Sequence, residues 1–233
     1  MRALGVDTAT GIASVGLVSD DTAVMRQQPM ASSHARTLLP LVDAVLVAAA
    51  TDLREVDLLA VSIGPGSFTG LRIGLAVVKG LALACGTPVV GVPTLWAYAH
   101  ALGPRAGTVW PVLDARKGEV YAAGYRWQGD SLEEIAAPAA LAPSALEVLV
   151  RAPGTLLGDG VDAYADRWSA MPGVTAIRLA ECPPNGAVVA RLGAALFRAD
   201  GAADLAALEP RYCRRSEAEM TRGGNAVAAV SSG

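Results

Sequence analysis

The stretch LLAVSIGPGSFTGLRIGLAVVKG, residues 58–80, sets three close glycines, a serine and a threonine between two apolar runs, the layout of a phosphate-gripping loop. A nucleoside-triphosphate loop needs lysine and then a hydroxyl directly after its last glycine, so that the amine reaches the terminal phosphates and the hydroxyl reaches magnesium. Here Leu71 and Arg72 follow Gly70, and the first lysine is Lys79. The dinucleotide pattern G-x-G-x-x-G also fails, because Thr69 stands three positions after Gly66. Ser67 lies in PGSFT, which lacks the G-x-S-x-G elbow of a nucleophilic serine. The two histidines, His34 and His100, form no one-turn pair, so neither a zinc hydrolase nor a general base beside Ser67 has its residues. Cys85, Cys182 and Cys213 are too far apart for a cysteine-rich zinc site or a disulfide framework. No catalytic group and no metal of its own is expected.

The elements that must position these residues follow from apolar periodicity. Residues 3–6, 12–18 and 22–28 read as strands, and a helix capped by Ser32 or Ser33 carries a stripe of Leu38, Leu39, Leu41, Val42, Val45 and Leu46. A strand over 58–63, a helix over 69–85 capped by Ser67 or Thr69, a strand over 89–92 and a helix opened by Pro93 complete this half. GPRAGT, residues 103–108, reads as a linker. Beyond it the pattern restarts: strand TVWPVL, turn DARKG, alternating strand EVYAAGYRW, a third strand near 132–135 and a helix begun by Pro143 and Ser144. Strand TLLG, turn GDG, a helix, a strand near 175–179 and a long helix over 185–199 follow.

The spacing from Asp7 to Gly11 recurs from Asp114 to Gly118, and in both halves a strand ends in G-x-G before a helix. This internal repeat resembles the two ribonuclease H-like α/β lobes of the actin, sugar kinase and heat-shock protein superfamily. It divides the chain into a first lobe over 1–104, a second over 105–208 and a C-terminal segment and tail over 209–233.

Composition narrows the partners. A net charge of −3 provides no overall basic field to hold nucleic acid, so for any RNA another chain is expected to contribute most of the grip. Mean hydropathy is +0.39, yet the most apolar window, 73–92, is broken by Lys79, Gly80, Gly86 and Pro88, so no membrane span is expected. The first ten residues hold one basic side chain and turn polar at Asp7 and Thr8, unlike a secretory leader, and the expected location is the cytoplasm.

GVDTAT, HARTLLP, GPGSFTGLRIG, GVPTL, DARKGEVY and EPRYCRR occur in that order between residues 5 and 215, and with them the chain resembles the bacterial TsaB (YeaZ) family. Cys213 stands where that family usually has leucine. The resemblance implies a scaffold in the synthesis of threonylcarbamoyladenosine, the modified base beside the anticodon of tRNAs reading codons that begin with A. It further implies a TsaD-like transferase and a TsaE-like ATPase as partners, and tRNA bound only through the complex. Association is implied through the first-lobe helices, with a homodimer through the same helices as a competing state. His34, Leu38, Leu41, Val45, Phe68, Gly70, Ile73, Gly74 and Val77 are the interface expected on that basis. The spacing of Gly70 and Gly74 alone leaves two uses open: close approach of a partner helix, or tight packing on the chain's own sheet. Arg72, on another face, reads as a solvated charge. Superfamily kinases hold magnesium on an acidic residue at the end of strand one, the place of Asp7, Thr8 and Thr10 here. A weak ATP or ADP cleft and a plain Asx turn are both open for these three, and the rival function is an ATP-dependent phosphotransferase.

Overall fold

The computed structural model describes residues 1–20, 22–30 and 34–213, with the side chains of 34–36 excepted. The expected helix cap at Ser32 or Ser33 and the tail after Cys213 lie outside the described residues.

The first half forms β1 (Ala3–Asp7), β2 (Ile12–Val18), β3 (Ala23–Pro29), α1 (His34–Ala48), β4 (Leu58–Ser62), α2 (Phe68–Cys85), β5 (Val89–Val92) and α3 (Thr94–Leu102). Its sheet has the order β3-β2-β1-β4-β5. The first three strands are antiparallel and β1, β4 and β5 are parallel. The second half repeats this with β6 (Thr108–Arg116), β7 (Glu119–Gln128), β8 (Ser131–Leu141), α4 (Pro143–Leu149), β9 (Gly154–Gly158), α5 (Asp159–Ala163), α6 (Ala165–Ser169), β10 (Val174–Arg178) and α7 (Gly186–Asp200). Its sheet order, β10-β9-β6-β7-β8, is the same arrangement read from the other side. These are two ribonuclease H-like lobes of the actin-type fold. The duplication extends to backbone angles: Gly64 and Gly158, each just past or at the end of the second parallel strand, have φ of 114° and 117°, a region open to glycine and closed to most side chains.

Central strands β1 and β4 are buried at every position because helices cover both sheet faces. On one face α1 and α2 bring Leu38, Val42, Val45, Leu75 and Val78 against Val6, Val15 and Val61. The other face is covered by α7, where the lobe boundary drawn in the sequence fails. Instead of capping the second lobe, α7 lies on the first sheet. A Cβ on Gly5 would come 2.2 Å from the Gly186 carbonyl oxygen, and one on Gly16 would come 2.2 Å from the Ala187 nitrogen. Glycine is required there because helix and sheet backbones touch. In exchange α3 leaves the first lobe and packs Leu95, Tyr98 and Ala99 on Val109, Leu113 and Leu157 of the second. The lobes therefore exchange helices, and the break at residue 104 divides the chain order without dividing the packing.

Two further differences have local causes. The third strand of the second lobe, β8, runs eleven residues, because register shifts around Gly124 break the two-residue alternation that marks a strand in sequence. The segment after α7 also belongs to the first lobe. Leu205 and Leu208 join its core, and the Arg211 amide donates to the Ile63 carbonyl at 2.6 Å.

Candidate functional site

Four strand ends, those of β1, β4, β6 and β9, meet between the lobes and enclose a cleft of about 420 Å³. Its walls include Thr10, Ser67, Phe68, Asp114, Arg116 and Asp159. This is where open α/β sheets bind ligands, because loops leave the carboxyl ends of parallel strands there.

Of the expected nucleotide residues, only Thr10 reaches the cleft. Asp7 is fully buried, its Oδ1 accepting the Ala9 amide at 2.9 Å and its Oδ2 accepting the Ser62 hydroxyl at 3.0 Å. Burial pushes its carboxyl above the ordinary 3.8, against the pull of those two hydrogen bonds. Thr8 is equally buried and donates to the Gly70 carbonyl at 2.8 Å. Asp7 and Thr8 are thus framework: a turn that joins β1 to β4 and to the start of α2. Across the cleft, Asp114 accepts the Arg116 amide at 2.8 Å and pairs with its guanidinium at 3.1 Å.

Asp159, which sequence reading passed over as a turn residue, is the cleft's most perturbed acid. Burial pushes its carboxyl from 3.8 to about 6; Asp114 adds to the rise, while the Asp114 amide at 2.9 Å and Arg116 oppose it. The available signal was its place in the repeat, directly after the strand-end glycine. A carboxyl raised on folding makes the folded state hold its proton more tightly, so stability is lost as pH rises from about 4 through 6. Asp159→Asn does not titrate and should be more stable than wild type at pH 7.5, by at most about 3 kcal/mol. That advantage should shrink towards pH 4.5. Urea midpoints at the two pH values check this, and an equal difference at both would refute it.

The interface residues expected from the resemblance divide sharply. Leu38, Leu41 and Val45 are buried under the chain's own sheet, because the apolar stripe of a helix marks its inward face. Gly70 and Gly74 also face inward: a Cβ on Gly70 would meet the Thr8 carbonyl oxygen at 2.0 Å, and one on Gly74 the Thr8 hydroxyl at 2.2 Å. The close approach that these glycines allow is to the β1–β2 turn. Ile73 and Val77 are half-buried on the first-lobe core. His34 opens α1, and its side chain lies outside the described ones. Phe68 is 39% exposed at the cleft rim. What α1 and α2 turn outward is Leu39, read in the sequence as part of the α1 stripe, together with Val47 and Leu83, which the sequence did not single out; the three are exposed by 50%, 72% and 75%.

His100 sits half-buried and edge-on between Trp96 and Trp127, with centroids 4.6 Å and 5.2 Å away. Burial lowers its pKa. Among the described residues no three His, Cys, Asp or Glu side chains gather as a metal site. By length and composition α2 could cross a membrane, but its Leu71, Leu75 and Val78 face is packed inside the first lobe.

The family model described as TsaD, tRNA N6-adenosine threonylcarbamoyltransferase, matches residues 28–159, more than half of the chain. The tRNA threonylcarbamoyladenosine biosynthesis protein TsaB of Escherichia coli K12 is 38% identical over 146 residues, covering 59% of this chain and 63% of that protein. Its counterpart in Haemophilus influenzae is 36% identical over 120 residues, covering 51% of each. The chain thus spans between half and two thirds of the length of these curated relatives. The structure of YeaZ from Pseudomonas aeruginosa covers 91% of this chain and 99% of its own, at 30% identity and a TM-score of 0.76. Matching blocks, lobe topology and nearly full-length superposition agree: the chain belongs to the TsaB (YeaZ) family, within the wider family that the TsaD model describes.

Proposed function

We propose that this chain is a non-catalytic subunit of the cytoplasmic machinery that makes threonylcarbamoyladenosine in tRNA, acting through a TsaD-like transferase. The relatives' names support the pathway, and the reach of a TsaD family model into this chain supports pairing between two proteins of related fold. The observation that carries the scaffold role is the outward face of α1 and α2. There Leu39, Val47 and Leu83 are exposed, while the cleft carboxylates Asp114 and Asp159 accept hydrogen bonds from the chain's own groups. Exposed aliphatic side chains on paired helices are the material of a protein interface. A second copy of the chain competes for the same face, a TsaE-like ATPase acts on the pair, and tRNA reaches this chain only inside the complex. The rival reading, an ATP-dependent phosphotransferase, has less support, since both Asp7 carboxylate oxygens already accept protein hydrogen bonds.

Reconstitution tests this directly. A TsaD-like protein from the same cell, a TsaE-like ATPase, threonylcarbamoyl adenylate and unmodified tRNA should yield modified base only when this chain is added. The lone chain should turn over ATP at background. Full modification without it, or vigorous ATP turnover by it alone, would remove the scaffold reading.

A further inference from the structure

Arg72, read in the sequence as a solvated charge, is built into a fixed cluster. Its guanidinium carbon lies 3.8 Å from the centroid of the Phe68 ring, one helical turn earlier. Its Nε donates to the Tyr212 hydroxyl at 3.0 Å, and Tyr212 packs on Phe68 with ring centroids 5.1 Å apart and planes tilted by 30°. Tyr212 is delivered 140 positions away in the chain by the segment whose Arg211 amide bonds the Ile63 carbonyl. Gly64 leaves room for that strap, since a Cβ on it would meet the Arg211 carbonyl oxygen at 2.4 Å.

Stacking and the Nε bond fix the plane of the guanidinium and consume one donor. The two terminal nitrogens remain as a forked edge, the geometry that takes a carboxylate through two parallel hydrogen bonds. Among the described residues no carboxylate pairs with Arg72. A free arginine loses much rotamer entropy when it binds; here that loss occurs on folding, so more of the interaction appears as affinity. Arginine and tyrosine at a packed cluster are also the usual composition of an interface hot spot. Arg72 is exposed, as are Ala76 and Leu83 further along α2, so the cluster is continuous with the outward apolar face.

We infer that the Phe68–Arg72–Tyr212 cluster is a preorganised receptor for a single Asp or Glu side chain of the partner protein at the edge of the α1–α2 interface. A protein carboxylate is favoured over an RNA phosphate, because holding a nucleic-acid backbone takes an array of cations, whereas the chain carries a net charge of −3. The inference rests on the proposed association with a TsaD-like partner.

The test is calorimetric binding of full-length chain to the TsaD-like protein from the same cell, at low and high salt. Arg72→Gln should weaken binding by about 10- to 100-fold and flatten the salt dependence. Arg72→Lys should recover little of it, since an ammonium is a point charge with no fork. Tyr212→Phe, which keeps the ring and removes only the hydroxyl, should cost about 3- to 10-fold. In the free chain it should also broaden the Arg72 Nε–H resonance, which the hydrogen bond is expected to protect from exchange with water. Unfolding temperatures of all three variants should match wild type. Wild-type affinity in Arg72→Gln, alongside lost binding in a variant charged at Val47, would overturn the inference and leave the partner reading intact. Wild-type affinity in Arg72→Lys would overturn the forked geometry. Reduced binding of tRNA to the lone Arg72→Gln chain, with partner affinity unchanged, would replace the carboxylate by a phosphate. Failure of the wild-type chain to bind the partner would remove the inference and the partner reading together.

Discussion

Gly74→Leu is expected to unfold the first lobe of the isolated chain, and any loss of partner binding should follow from that collapse. A Cβ at this position would sit 2.2 Å from the Thr8 hydroxyl, which donates to the Gly70 carbonyl at 2.8 Å. Leucine adds three more carbons where no space exists, so α2 must lift off the turn after β1. Overpacking of this kind costs about 1–3 kcal/mol, and stranding the buried Thr8 and Gly70 groups adds about 1–3 kcal/mol. Together these are a large part of the roughly 5–15 kcal/mol that stabilises a typical domain. Gly80→Ala is the comparison, because a Cβ there meets nothing within 4 Å. It should stabilise the chain by up to about 1 kcal/mol through helix propensity. Urea unfolding of the two isolated variants decides the matter. A Gly74→Leu chain with an unchanged midpoint would mean that the helix does not sit on Thr8 in solution.

The second large effect concerns the opposite face of the same helices. Val47→Asp combined with Leu83→Asp should abolish association with the TsaD-like partner, at least about 100-fold, while leaving the free chain folded. Both side chains are more than 70% exposed, and surface substitutions away from special features change stability by about 0.5 kcal/mol or less. Buried in an interface of standard size, two unpaired carboxylates would pay a desolvation cost that no contact returns. Size-exclusion chromatography with the partner and thermal unfolding without it separate the two outcomes. Retained co-elution of the double variant would move the interface off α1 and α2. The Gly74 and Val47/Leu83 experiments form a pair, one expected to lose fold and the other to lose only binding.

Which face of a helix does which task was the main thing hidden in the sequence. The stripe of Leu38, Leu41 and Val45 is easily seen because it repeats at helical spacing, and for that reason it marks the buried side. Leu39 reads as part of that stripe although it points outward, Val47 and Leu83 fall outside it, and isolated exposed apolar residues are common on ordinary surfaces. The Gly70 and Gly74 spacing reported correctly that another part of the structure approaches the helix closely. It carried no information on what approaches, and the answer, the carbonyl of Thr8 at Gly70 and its side chain at Gly74, lies more than sixty residues back.

The sequence alone determined the two-lobed duplication, the position of nearly every strand and helix, the absence of the standard nucleotide and hydrolase motifs, and the family. These are local quantities, set by periodicity, capping residues and short ordered blocks, so neighbouring residues suffice to read them. Only the tertiary structure decided that α3 and α7 change lobes, that Asp7 and Thr8 serve as framework while Asp159 faces the cleft, and that Arg72 is clamped by Tyr212. The cleft bond of Asp159, the clamp on Arg72 and the docking of α7 depend on groups 45, 140 and 172 positions apart meeting within a few ångströms. Such meetings arise from how two sheets share their covering helices, and no window along the chain contains both partners.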